Sequence, residues 1–309
     1  MVVIYKYKNL RKIRLDVSSV CQLKCKCCTT GNNINKFNKI GYGFLSFNNF
    51  KNFILNNINI KEIELSNFGE IFLNSDLIKI IKFSDKFNIK LYANNGVNLN
   101  LVSNEVLKSL IKYKFHLLRV SIDGATNYVY KKYRVGGDLN NVINNIKKIN
   151  YYKKKFNSKY PILIWQFILF NHNIHEYLLA KKIAKKLNMK FWVTSNWYNK
   201  FSPINKSLVL KNLLKKEDYL NYKNSFKENG IRVCQRFYKN PQINWDGKLM
   251  GCCINNNYSF GNVFTGNFQK IFESNNYQMK INKIINKSLR IKNFNPCKKC
   301  EFKLYNYWG

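Results

Sequence analysis

Between residues 11 and 200, short apolar, β-branched runs alternate with amphipathic stretches. RKIRLDVSS, residues 11–19, has the alternation of a strand and runs straight into a group of cysteines. Helical spacing follows from Asn48 to Asn57, then a strand in KEIELSNFG and a helix from Asp76 to Phe87. IKLYANN reads as the next strand, with a helix around Asn104 to Tyr113. FHLLRVSID is a strand before a helix from Leu139 to Tyr151, and PILIWQFILF a strand before a helix from His175 to Leu187. MKFWVTS closes the series. Strands alternating with helices predict parallel βα units, hence the α/β class. Six such units fit a partial (β/α)6 TIM-like barrel, with its active-site loops at the C-terminal ends of the strands.

The pattern breaks after Ser202. Lys206 to Gly230 is a Lys-rich stretch with helical character, and from Ile231 onward come turn residues, short strands and cysteines. The expected division is a barrel over 1–201, a connector over 202–230 and a small α+β domain over 231–309. No apolar run approaches the eighteen or so residues that span a membrane, and the N-terminus lacks the apolar core of a signal peptide. A soluble, cytoplasmic protein is expected.

The formal net charge of +37 changes this picture little. Such an excess suggests a polyanionic partner, but it is almost all Lys, spread from end to end among abundant Asn, Ile, Phe and Tyr. Those are the residues that AT-rich codons supply. Arg, which does most bidentate reading of bases and phosphates, occurs only at positions 11, 14, 119, 134, 232, 236 and 290. Nucleic acid is therefore not the expected partner.

The nine cysteines change it a great deal. Four fall within Cys21–Cys28 and five within Cys234–Cys300, with none between. Without a secretion signal, such clustering points to metal sites rather than disulfides. Cys21, Cys25 and Cys28 form CxxxCxxC immediately after the first strand. Three thiolates on one short loop can hold three irons of a [4Fe–4S] cluster and leave the fourth open to a chelating ligand; a zinc loop or buried thiols are the plainer readings. Cys234, Cys252, Cys297 and Cys300 could fully ligate a second cluster, or equally a structural zinc. Cys253 competes with Cys252 for that place, because sequence does not say which side chain faces inward.

CxxxCxxC after the first strand resembles the signature of radical S-adenosylmethionine (SAM) enzymes. Family members usually carry an aromatic residue before the last cysteine; here it is Cys27. Asn67-Phe68-Gly69-Glu70 resembles the family's GE motif, which receives the methionine amino group. Ala93-Asn94-Asn95-Gly96 resembles its TNG turn, and Ser121-Ile122-Asp123-Gly124 with Arg134-Val135-Gly136-Gly137 its SxDG…RVGG segment. The resemblance implies that Gly69, Glu70, Asn95, Ser121, Asp123, Arg134 and Gln166 bind SAM, while the first cysteine triad holds the catalytic cluster. His172 and His175 lie in the region that meets the adenosine in relatives, and neither is singled out.

The spacing from Cys234 through Gly247 and Cys252 to the closing Cys297–Cys300 pair resembles a SPASM/Twitch auxiliary-cluster domain. Within the family the chain is more similar to 2-deoxy-scyllo-inosamine dehydrogenase than to the anaerobic sulfatase-maturating enzymes. That implies an oxidoreductase acting on a small polar metabolite of sugar or cyclitol type, with the auxiliary [4Fe–4S] cluster carrying an electron. A peptide or protein maturase is the alternative, although Cys21 comes too early for a leader-binding domain ahead of it; RNA modification ranks third. A flavodoxin- or ferredoxin-type electron donor is the implied partner.

Overall fold

The computed structural model describes residues 4–196, 201–204 and 235–285, which form two compact units. The first contains residues 4–20, 34–92 and 235–285, and the second residues 21–33, 93–196 and 201–204. In the first unit, β1 (Lys12–Leu15) pairs in parallel with β2 (Glu62–Glu64), which pairs in parallel with the start of β3 (Lys90–Val97). On its other side β1 is parallel to β7 (Gln242–Ile243). In the second unit, β3 is followed across the sheet by β4 (Leu117–Ser121), β5 (Ile162–Leu169) and β6 (Lys190–Ser195). β4, β5 and β6 pair in parallel.

Crossover helices separate the strands, as the alternating pattern predicts. They are α1 (Phe47–Leu55), α2 (Leu77–Lys86), α3 (Asn104–Lys112), α5 (Leu139–Lys155) and α6 (Tyr177–Lys186). Each begins and ends for local reasons. Ser46 and Ser103 accept the Asn49 and Val106 amide N–H groups at the starts of α1 and α3, and Asp138 accepts that of Asn140 at the start of α5. α2, α3, α5 and α6 are each followed by a left-handed residue: Asn88, Lys114, Asn157 and Asn188. The next amide then bonds back to the helix; Phe115 N–H donates to Leu110 O at 2.8 Å and Met189 N–H to Ala184 O at 3.0 Å. That closure turns the chain directly into the following strand.

Burial explains the strand composition. In β5 all residues but Ile162 and Ile168 are buried, as a strand covered on both faces requires. α4 (Asn127–Tyr133) is a helix that the sequence pattern did not predict. It is only two turns long, and its buried Val129, Tyr130 and Tyr133 give too short a period to detect. Beyond β7 the chain forms α7 (Arg236–Lys239), α8 (Phe268–Glu273) and α9 (Asn275–Ile285). Among the described residues, no helix is long and apolar enough to cross a membrane.

Candidate functional site

The second unit contains the first cysteine loop, whose backbone is tied to the segment after α4. Lys24 N–H donates to Val135 O at 2.9 Å and Lys26 N–H to Tyr133 O at 3.3 Å. Cys25 is buried with Leu23, Tyr133 and Phe170, and the half-buried Cys21 and Cys28 pack against that group. Gly31 is required where the loop folds back: a Cβ there would lie 2.9 Å from Cys25 N.

Each of the three sulfurs named by CxxxCxxC meets an N–H donor. Asn98 Nδ2 is 3.7 Å from Cys21 Sγ, Arg134 Nη1 is 3.7 Å from Cys25 Sγ, and Gly31 N is 3.4 Å from Cys28 Sγ. Among the described residues, Cys27 Sγ meets no such donor, and its backbone is left-handed with φ +63°. Donors aimed at sulfur suit thiolates that ligate iron, so the three cysteines fit a cluster and Cys27 stands apart. No three His, Cys, Asp or Glu side chains among the described residues converge as donors to one metal ion.

Arg134 donates from Nε to Asp123 Oδ2 at 2.6 Å, and Asp123 Oδ1 accepts the Ile168 N–H at 2.7 Å. Asp123 is wholly buried. Burial pushes its carboxyl above the usual range, opposed by Arg134 and the Ile168 N–H. Burial works against the Arg134 charge, but Asp123 and then Cys25 more than offset it, so the guanidinium stays protonated. Burial also raises the Cys25 thiol, and Arg134 is the largest opposing influence.

Gly96 near the end of β3, Ser121 at the end of β4 and Gln166 within β5 come together. Gly96 has φ +113°, and a Cβ on it would sit 2.2 Å from Ser121 Oγ and 3.6 Å from Gln166 Nε2. Ser121 and Gln166 are register partners and both are buried. The Asn95 side chain is exposed. His172 Nδ1 lies 2.8 Å from Ser202 Oγ, and burial, followed by Lys132, lowers its pKa to about 4.

Gly69 and Glu70 belong to the first unit. A Cβ on Gly69 would lie 2.5 Å from Ser18 O, so glycine alone fits. Glu70 is buried, its N–H donates to Val20 O at 2.8 Å, and its Oε1 accepts the Phe72 N–H at 3.3 Å. Asp16 anchors the same segment: it accepts the Asn67 N–H at 3.0 Å and a Gln242 Nε2–H at 2.8 Å. Burial raises the Asp16 pKa well above the usual carboxylate range. Sequence motifs did not single out Asp16, although a charged residue inside an apolar strand is a visible signal. Asn98 also escaped the sequence reading, and nothing around it in sequence marks it.

In the first unit the chain reverses at Gly247, which has φ +87° and whose N–H donates to Asn244 O at 2.9 Å. Ile243 and Leu249 then pair antiparallel, the strand and tight turn that the sequence predicts. Cys252 is buried and Cys253 half-buried. Cys253 Sγ contacts Arg236 Nη1. A hydrogen bond from Cys252, then Arg236 and Arg14, hold the Cys253 thiol well below its usual range against the cost of burial. Cys234, Cys297 and Cys300 lie outside the described residues.

Comparison with solved structures places this fold. It is similar to Streptococcus suis SuiB bound to S-adenosylmethionine, at 14% identity and a TM-score of 0.69, covering 96% of this chain and 72% of that one. SuiB bound to its precursor peptide SuiA gives 0.67 at 14% identity, covering 89% and 67%. BtrN in complex with AdoMet and 2-DOIA gives 0.50 at 12% identity, covering 89% and 87%. The chain thus has the α/β fold of radical SAM enzymes. Residues 234–301, the stretch that contains the second cysteine group, match the family model of the SPASM iron–sulfur cluster-binding domain. No curated protein sequence matches the chain.

Proposed function

We propose that this protein is a radical SAM enzyme of the SPASM type, and that Cys21, Cys25 and Cys28 hold its catalytic [4Fe–4S] cluster. The observation that carries this reading is the N–H donor at each of those three sulfurs, with none at Cys27 among the described residues. When bound, the cluster and SAM supply a 5′-deoxyadenosyl radical that abstracts a substrate hydrogen. The chain binds and orients. Gly96, lacking a Cβ, lets Ser121 Oγ and Gln166 sit against its backbone in the second unit, where they would meet the ligand. Asn95 lines the same end of β3. Arg134 offers its remaining N–H groups to a carboxylate. Asp123, with both oxygens already engaged, positions Arg134 rather than touching SAM.

Cys252 or Cys253, with Cys234, Cys297 and Cys300, would hold an auxiliary [4Fe–4S] cluster able to accept the electron that the substrate radical gives up once its hydrogen atom has gone. A flavodoxin- or ferredoxin-type protein would supply the separate electron that reduces the first cluster. The greater likeness to SuiB, including its complex with a precursor peptide, favours a peptide substrate. Likeness to BtrN supports the second reading, a small polar metabolite.

The test is anaerobic reconstitution followed by iron and sulfide analysis and dithionite-driven release of 5′-deoxyadenosine. About eight irons per chain, four from each cluster, are expected together with release. Zinc without iron and no cleavage would overturn the proposal. Stimulation of release by peptides over aminocyclitols supports the first substrate class, and the reverse supports the second.

A further inference from the structure

Asn98 directly follows β3 and is 4% exposed. Its Oδ1 accepts a Gln22 Nε2–H at 2.9 Å and the Asn100 backbone N–H at 2.9 Å. A backbone N–H can only donate, so the atom it meets is the oxygen and the amide orientation is settled. The nitrogen is then the atom that faces Cys21 Sγ, at 3.7 Å, and it also lies 3.4 Å from Gln22 Oε1. Gln22 is the next residue after Cys21, so one carboxamide grips both the first ligand and its neighbour.

Asn98 is itself held from behind. Asn100 Nδ2 donates to the buried Tyr130 hydroxyl at 2.9 Å, and its Oδ1 accepts the Asp138 N–H at 2.6 Å. Asn145 Nδ2 donates to Leu99 O at 2.9 Å, at a residue whose φ is +54°. Asn98, Asn100 and Asn145 are all buried. A donor fixed in this way keeps its direction without reorganising.

We propose that Asn98 is a positioning residue for the first cluster: its Nδ2–H fixes the Cys21 thiolate in its liganding place and raises the reduction potential of that cluster. The proposal rests on the reading of Cys21, Cys25 and Cys28 as ligands. Reduction puts more negative charge on the sulfurs, and an N–H dipole aimed at one of them favours the more negative state. Arg134 and Gly31 act alike at Cys25 and Cys28. Asn98→Asp keeps Oδ1 for Gln22 and Asn100 but also brings a negative charge that lowers the potential by itself, so the uncharged Asn98→Ala carries the test of the N–H donor.

The full-length Asn98→Asp and Asn98→Ala chains are reconstituted beside the wild type. Each is compared by iron content and by a redox titration that follows the EPR signal responding to added SAM. Asn98→Asp is expected to keep about eight irons and to show a lower midpoint potential than the wild type, with Asn98→Ala shifted in the same direction. A wild-type midpoint in Asn98→Ala at equal iron content, even with Asn98→Asp lowered by its charge, overturns the proposal and leaves the ligand assignment standing. Absence of iron from the wild type overturns the ligand assignment itself. Should Asn98→Asp lose iron while keeping its circular dichroism, Asn98→Ala decides: a wild-type midpoint overturns the proposal and a lowered one supports it.

Discussion

Arg134 and Asp123 form a buried ion pair of 2.6 Å, and the same guanidinium reaches Cys25 Sγ at 3.7 Å. One salt bridge therefore joins the end of β4 to the cysteine loop. Removing one partner leaves a buried charge without compensation, which costs about 3–5 kcal/mol. Asp123→Asn is expected to lower the thermal midpoint of the purified protein markedly. An unchanged midpoint would show that Arg134 finds another counter-charge.

Cys27 is separated from its neighbours by the absence of an N–H donor at its sulfur among the described residues. Cys27→Ala should retain about eight irons on reconstitution, whereas Ala at Cys21, Cys25 or Cys28 should each leave about four. Iron analysis of the four variants checks this, and equal loss in Cys27→Ala would reassign the ligands.

Gly69→Ala places a methyl 2.5 Å from the Ser18 carbonyl, a backbone atom that cannot swing aside. Overpacking of this kind costs about 1–3 kcal/mol. Chemical denaturation should show the loss. Wild-type stability would mean that the Gly69 segment and Ser18 adjust together.

His172 is held neutral, since burial and Lys132 bring its pKa down to about 4 from an ordinary value near 6.5. The unfolded chain therefore takes up this proton more readily than the native protein. The stabilising contribution is complete above pH 6.5 and is lost as pH falls toward 4. Denaturation of the wild type and His172→Asn between pH 7 and 4 should show a steeper loss in the wild type; parallel profiles would refute it.

How far the sequence reached depended on the range of the interaction. The βα alternation was legible because strand and helix periods are local, as the caps at Ser46, Ser103 and Asp138 are. The turn at Gly247 was legible too, since a left-handed glycine needs no distant partner. The CxxxCxxC spacing named three sulfurs, but the donors at Cys21 and Cys25 come from Asn98 and Arg134, 77 and 109 residues away. The short α4 offered too few turns for its period to register.

The sequence by itself determined which residue types could carry the chemistry and in what order strands and helices follow one another. The tertiary structure alone decided that β7 pairs with β1, that Asp16 braces Asn67, and that Asp123 serves Arg134. Spacing and periodicity are properties of neighbouring residues. The partners of a buried polar group are chosen by folding, which must satisfy each such group from whatever part of the chain packs against it.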